Sequence, residues 1–441
     1  MVIQMLDILA ILFASSLALI IYTYVGYPLL LALALKFTGR GRLQRSQYLE
    51  TSTADHPFVS LIVATRGEGA RVVQQVGELL AQLEVAECPG ELVLVVDGPD
   101  THQYAQQFQA EPRVKVLVQG EQRGKAAALG AAQQHARGEL LVFADVRQRW
   151  EPQALRNLLV RFRDDKVGAV SGQLVLEANG ASNEGVGLYW KYETWLRRNE
   201  SLWWAIPGVT GAIAAVRSRL FVAPPVGTVL DDVYWPMQVV LQGYRVVHAP
   251  DAIALDRLPE RMRDEFQRKV RTQAGCFQLL QHLPALLVPW RNPLWWQFVS
   301  HKVLRLLVPW CMLTSLITSV LLPGWFYQMY FVGNVIVLLA IASSQPWNGP
   351  PRSRGIRFAC SFFMLNAAAA LGLVYWISGR TASVWKPVTY QNAASHPHSY
   401  PHCHPQTGSP PQAGREDTGA GGSARIVPHD GSNLEQQWDV T

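Results

Sequence analysis

The sequence predicts an α/β sheet domain held between membrane-spanning helices, one before it and three after it. Three observations carry this. Short apolar runs alternate with helical patterns between residues 57 and 176, as in strand–helix–strand units. Two of the runs end in aspartates, Asp97 and Asp145. Near both ends of the chain lie apolar stretches of about the 20 residues that cross a bilayer.

The chain has 441 residues, a formal charge of +6 and a hydrophobic fraction of 49%. That length allows two or three domains. The five cysteines, Cys88, Cys276, Cys311, Cys360 and Cys403, are far apart and contain no C-x-x-C pair. They read as reduced thiols, neither a disulfide framework nor a zinc site. Basic residues collect beside the apolar runs, so a membrane is the expected partner and no nucleic acid is.

Residues 6–35 are almost unbroken apolar sequence with no basic leader and no clear cleavage site, which reads as a retained anchor (1–36). Lys36, Arg40, Arg42 and Arg45 follow in a basic linker (37–56). By the positive-inside rule that flank is cytoplasmic. Three more runs, 303–322, 326–344 and 358–378, lie within 303–379. His301, Lys302 and Arg305 flank the first, and Arg352, Arg354 and Arg357 precede the last. All three basic flanks agree on one topology, with the middle of the chain in the cytoplasm of a multi-pass inner (plasma) membrane protein. Residues 279–298 are too interrupted by Pro, Arg and Trp to span and read as an interfacial segment, part of 261–302. From 380 the chain turns to Pro, Gly, Ser, His and Gln. HPHSYPHCHP is a metal-binding candidate there, and a disordered tail is the simpler reading.

Within the middle domain (57–260), residues 58–64 (FVSLIVA) read as the first buried strand, followed by a polar loop and a helix over 70–83. Strands follow at 92–96 and 114–118, a helix at 126–136, a strand at 140–143, a helix at 154–163 and a strand at 168–176. The alternation argues for a parallel sheet covered on both faces. No G-x-G-x-x-G or Walker loop is present, so neither a dinucleotide fold nor a P-loop fold is favoured. Phosphate binding must then come from carboxylates, a metal and basic side chains.

In an open α/β sheet, ligands bind beyond the carboxyl ends of the strands. Asp97 and Asp145 both sit there, a pair suited to a nucleotide and its metal, although either alone reads as a cap or turn residue. Residues 185–204 are dense in aromatics and carboxylates, among them Trp190 and Tyr192. They suit a sugar acceptor, or equally a helix with a membrane-facing aromatic edge. Residues 207–212 (PGVTGA) form a turn in which Gly211 permits close approach of a ligand or a packed loop. Asp231 and Asp232 open a helix whose dipole keeps them ionised, as a general base must be.

In order, VSLIVA, VVDG, RGKAAALGAA, VFADV, VTGAIAAVR, LDDVYWPMQVVLQGYRVV and RKVRTQAGCFQ resemble the family-2 glycosyltransferases. The resemblance is to the inverting, membrane-integrated branch that includes cellulose, chitin and hyaluronan synthases, and it covers nearly the whole chain except the tail. It implies a GT-A fold binding a nucleotide sugar, with UDP as the expected carrier. On that resemblance Ala64 and Thr65 match the loop at the base, Asp97 contacts the uridine and Lys125 lies near the nucleotide. Asp145 matches the first carboxylate of the D-x-D motif that holds Mg2+ or Mn2+. Gly211 lies in the acceptor-side turn, Asp231 beside the donor, and Asp232 on the catalytic base. Arg271 steadies the diphosphate, and Gln278 lies in the continuation of the same segment.

The chain departs from that pattern at three places. Arg147 replaces the second D-x-D aspartate, the Q and W of Q-x-x-R-W fall at Arg268 and Thr272, and Leu230-Asp231 stands for T-E. Arg147 either takes over part of the metal's charge, since a guanidinium binds a diphosphate in bidentate fashion, or points away while Asp145 holds the metal with diphosphate and water. The missing tryptophan leaves transfer of one or a few sugars open beside polymer synthesis. The implied reaction forms a β-linkage to a glycan or lipid-linked acceptor in cell-envelope or exopolysaccharide synthesis. Three late spans are few for a wide pore, so export would need a homodimer or a partner. The alternative is a degenerate, non-catalytic membrane scaffold or sugar-nucleotide sensor; the retained Asp97, Asp145, Asp232 and Arg271 tell against it.

Overall fold

The computed structural model describes residues 2–39, 57–66, 68–98, 101–177, 184–257, 262–344 and 353–380. The tail with its histidines and most of the basic linker lie outside them.

The chain begins with α1 (Val2–Ile21), which runs through a π-helical turn (Tyr22–Gly26) into α2 (Tyr27–Thr38). The sheet domain follows: β1 (Val59–Thr65), α3 (Ala70–Val85), β2 (Gly90–Asp97), α4 (Thr101–Gln107), β3 (Val114–Gln119), α5 (Lys125–His135), β4 (Leu140–Ala144), β5 (Arg149–Trp150) and α6 (Ala154–Leu159). Then come β6 (Val167–Glu177), α7 (Glu184–Trp203), β7 (Ile213–Arg217), α8 (Asp231–Leu241) and β8 (Arg245–Arg257). The chain goes on with α9 (Met262–His282), the short α10 (Trp295–Phe298), α11 (Leu304–Leu321), α12 (Trp325–Ser343) and α13 (Arg354–Ile377).

The strands form one sheet in the order β3-β2-β1-β4-β7-β6-β8-β5. The half from β3 to β4 is parallel, as the alternation predicts. The other half is mixed, because β7 runs antiparallel to both β4 and β6. The parallel-sheet expectation therefore fails beyond β4, where the chain turns back along the sheet. Side chains alternate between two faces along each strand. Val59, Leu61 and Val63 of β1 join a core roofed by α3 and α6, while Ile62 joins a second core roofed by α5, α8 and α9.

That second core runs without a break into the membrane segment, since Leu294, Phe298 and Leu306 belong to it. The helix α9 lies between the domain and the last span. Gly275 faces Leu230 at a distance where an added Cβ would come within 2.7 Å of Cγ, and Gly372 of α13 faces the Ala274 backbone nitrogen at 2.8 Å in the same sense. Only glycine permits both approaches. The Phe277 and Trp376 rings stack with centroids 5.8 Å apart.

Among the described residues four helices are long and apolar enough to cross a membrane: Ile3–Thr38, Trp295–Leu321, Trp325–Ser343 and Gly355–Ile377. The second begins at Trp295, so the end of the segment read as interfacial is continuous with that candidate helix. A π-helical turn (Val299–Val303) joins α10 to α11 and keeps the helix continuous.

Candidate active site

The site lies at the carboxyl ends of β1, β2 and β4 and at the start of α8. Asp97 closes β2 and is buried. Its Oδ1 accepts the Arg123 backbone N–H at 2.6 Å, and its Oδ2 accepts that of Gly124 at 3.0 Å. Arg66, the residue after β1, donates through Nε to the same carboxylate at 3.0 Å. Asp97 thus fixes the loop that starts α5, and the next residue is Lys125.

Lys125 Nζ lies 2.7 Å from Asp145 Oδ1 and 3.8 Å from Asp231 Oδ2. Burial opposes its charge, but Asp145 and Asp231 outweigh that and raise its pKa. The backbone at Gly211 passes so close that an added Cβ would stand 3.0 Å from Nζ. The absence of a side chain there leaves the lysine its place.

Asp232 follows Asp231 in the first turn of α8, and its backbone carbonyl accepts the Val209 N–H at 2.8 Å, tying the 207–212 turn to the helix. Below it, the Phe143 and Trp235 rings pack with centroids 5.3 Å apart. Phe143 lies two residues before Asp145 and Trp235 one turn after Asp232, so this aromatic contact fixes the two acidic ends against each other. Burial, then the Asp231 charge, pushes the Asp232 pKa up to about 6. For Asp232, desolvation and like charge thus exceed a helix-end effect of about 0.3–1 kcal/mol. Lys125, Lys302 and Arg271 act in the opposite direction on Asp232. Arg271 faces Asp231 and Asp232 from α9, and its pKa is lowered, by burial first.

The other candidates separate from this cluster. Thr65 ends β1 and bonds Glu68 through Oγ1; with the half-buried Ala64 it is strand, where the resemblance implies a loop. Arg147 lies 3.7 Å from Asp256 of β8, which also accepts a hydrogen bond from Gln148 at 2.9 Å. Gln278 accepts the Val229 N–H at 2.9 Å and donates to the Gly227 carbonyl at 3.1 Å, bracing the loop before α8. Trp190 is half-buried on α7. Tyr192 donates its hydroxyl to the Tyr24 carbonyl at 3.2 Å and packs at the junction with the first membrane helix.

The sequence does not single out two cations. Arg66 reads as part of a polar loop, although it follows a strand end as the aspartates do, and Lys302 reads as part of a charged flank. Nor does it show a buried polar joint next to Lys302. Glu200 accepts from Tyr27 at 2.6 Å and pairs with His301 Nδ1 at 2.8 Å. Glu193 meets Arg305 at 2.7 Å and His301 Nε2 at 3.2 Å. Burial disfavours the Glu193 charge, but Arg305 and His301 hold its carboxyl well below the usual range.

For a divalent metal, Asp145 offers Oδ2, which accepts no hydrogen bond among the described residues, while Oδ1 is taken by Lys125. Among the described residues no three His, Cys, Asp or Glu side chains are grouped to hold a metal. These donors fit an ion whose shell is completed by oxygens of a bound diphosphate and water.

Residues 60–222 match the family model described as Glycosyl transferase family 2. The chain is 26% identical over 248 residues to an N-acetylglucosaminyltransferase of Rhizobium meliloti (strain 1021), covering 50% of this chain and 56% of that protein. It thus spans about half the length of the curated relative it matches. Among solved structures it is similar to a mannosyltransferase from Pyrobaculum calidifontis in complex with GDP-Man and Mn2+. The TM-score is 0.57 at 22% identity, over 84% of this chain and 99% of that one. The likeness shows a shared fold.

Proposed function

We propose that this chain, whose residues 60–222 match the family 2 glycosyl transferase model, is an inverting glycosyltransferase, moving a sugar from a nucleotide-sugar donor to an acceptor hydroxyl at a membrane. The single observation that supports this best is the convergence on Lys125. Carboxylates from β4 and α8 meet one ammonium, which the loop held by Asp97 sets in place.

The acceptor hydroxyl attacks the anomeric carbon in line, Asp232 takes the proton, and the nucleoside diphosphate leaves from the opposite face, giving a β-linkage. Arg271, Lys125 and Arg66 face the developing charge on the diphosphate. A divalent metal, Mg2+ or Mn2+, would be held by Asp145 with diphosphate oxygens and would neutralise the same charge. Arg147 has its charge directed to Asp256, which favours a metal-dependent site over one in which the guanidinium replaces the ion. With the family topology the domain faces the cytoplasm, and the product enters cell-envelope or exopolysaccharide synthesis.

The test is incubation of detergent-solubilised full-length protein with a panel of UDP- and GDP-sugars, followed by detection of released nucleotide. Release with one donor that disappears in Asp232→Asn supports the reading. A folded wild-type protein that releases none with any donor, with or without Mn2+, refutes it.

A further inference from the structure

The turn at 207–212 is tied to β5, β6, α7 and α8. Trp150 of β5 donates through Nε1 to the Ala212 carbonyl at 3.0 Å, and the Val209 N–H donates to the Asp232 carbonyl at 2.8 Å. Ser171 of β6 is fully buried. Its Oγ accepts the Thr210 N–H at 3.0 Å and Arg197 Nη2 at 2.9 Å, and donates to the Gly172 carbonyl at 3.0 Å. A hydroxyl has one proton and two lone pairs, so these bonds saturate it. Arg197 of α7 also donates through Nη2 to the Gly208 carbonyl at 3.3 Å. The acidic residues beside it on α7 are turned elsewhere, Glu200 to Tyr27 and His301, and Glu193 to Arg305 and His301. Between these ties the backbone lies against both halves of the site. An added Cβ at Gly208 would come within 3.3 Å of the Asp232 carbonyl oxygen, and one at Gly211 within 3.0 Å of Lys125 Nζ and 3.9 Å of Asp145 Oδ2. Ser171 and Arg197 themselves form no hydrogen bond or ion pair with Asp145, Asp231 or Asp232 among the described residues.

We propose that Ser171 and Arg197 are positioning residues. Together they hold the 207–212 turn where its backbone fits against Lys125 and Asp145 on one side and ties the start of α8 on the other, so that cation and base keep their separation. This rests on the glycosyl-transfer reading above and extends its machinery to two side chains that touch no reacting group. The guanidinium bond is charge-assisted, and such bonds are about twice as strong as neutral ones. Both side chains act on residues 208–210, so losing either frees the same stretch of backbone. A misplacement of about 1 Å made away from the chemistry costs on the order of 10²-fold in rate.

The test uses detergent-solubilised full-length protein as wild type, Ser171→Ala, Arg197→Met, Arg197→Lys and the double variant of the first two. Amide hydrogen exchange in the turn is compared with exchange in β4, and turnover is compared with affinity for UDP and GDP. The acceptor of the Val209 N–H is a backbone carbonyl that none of these substitutions removes. Its exchange should nevertheless quicken by roughly tenfold or more in Ser171→Ala and Arg197→Met, the size of one charge-assisted bond, while β4 stays as in wild type. Turnover should fall by roughly 10–10²-fold, and nucleotide affinity by a smaller factor. Arg197→Lys, which still reaches one of the two oxygens, should recover part of both losses. The double variant should lose less than the product of the single losses, as residues acting through one path do. Unchanged exchange at Val209 in the folded variants overturns the proposal. So does turnover that stays at the wild-type level despite faster exchange, or that falls only with the folded fraction seen by melting. If Arg197→Met does not fold, Ser171→Ala decides alone, because it deletes a single oxygen. A wild-type protein that releases no nucleotide refutes glycosyl transfer itself, while exchange at Val209 still decides whether the two side chains hold the turn.

Discussion

Lys125 Nζ stands 2.7 Å from Asp145 Oδ1, and this pair links the carboxyl end of β4 to the acidic start of α8. Lys125 also reaches Asp231 and lowers the pKa of Asp232. Replacing it with alanine leaves two carboxylates without their cation and raises the proton affinity of the third. Lys125→Ala is expected to lower turnover on the order of 10²-fold, as for loss of one preorganised charge donor. Steady-state nucleotide release, with melting as a folding control, measures it.

On the proposed assignment, Asp232→Asn removes the proton acceptor and keeps its shape. Transfer should fall by roughly 10²–10⁴-fold, the usual share of a general base, while donor binding stays within a few-fold of wild type. Isothermal titration with the donor's nucleotide and turnover of the same sample separate the two. A variant that turns over at nearly the wild-type rate would take the base assignment away from Asp232.

The acid limb of the pH profile follows from the same residue. A base works only when deprotonated, and the Asp232 pKa is pushed up to about 6 by burial and then by Asp231. Activity should therefore be lost as pH falls through about 6, a limb that belongs to the Asp231–Asp232 pair as a unit. Asp231→Asn removes the neighbouring charge, so the limb should move to lower pH. A limb that stays in place, or moves up, would show that the neighbour does not set it. Measuring kcat/KM from pH 4 to 9 in the two proteins decides this.

Much of this site was legible because strand-end chemistry is local. An apolar run followed by aspartate marks Asp97 and Asp145 without any knowledge of the partners, and adjacent aspartates at a helix start mark α8. Strand direction was not legible: IAAVR of β7 reads as a buried strand whichever way it runs, and only pairing with β4 shows it to be antiparallel. The bracing contacts of Gln278 were not legible for a similar reason. A polar side chain near a site reads as a ligand contact, yet its amide closes the loop at Gly227 and Val229. The basic residues at 301–305 read so readily as a charged flank of an apolar run that nothing in the sequence points to their acidic partners on α7, about 100 positions away.

Asp97→Ala tests the loop that carries Lys125. Two backbone N–H groups and Arg66 lose a carboxylate acceptor, which loosens the loop. Nucleotide affinity should drop, and Lys125 should lose its fixed position, so the double variant with Lys125→Ala should lose less than the sum of the two single losses. Titration with UDP and GDP across the four proteins gives the coupling. Strict additivity would mean that Asp97 and Lys125 act separately.

Metal dependence is the remaining discriminator. With the Arg147 guanidinium 3.7 Å from Asp256, and with Lys125 and Arg66 themselves paired to Asp145 and Asp97, a leaving diphosphate carries more negative charge than the cations around it balance. Chelation with EDTA is therefore expected to abolish turnover, and Mn2+ or Mg2+ to restore it. Asp145→Asn should raise the metal concentration needed for half-maximal rate, because hard cations favour anionic oxygen ligands. Arg147→Met should leave that requirement unchanged. If instead turnover persists in EDTA and disappears in Arg147→Met, the guanidinium has taken the ion's place, and its pairing with Asp256 must open when the donor binds.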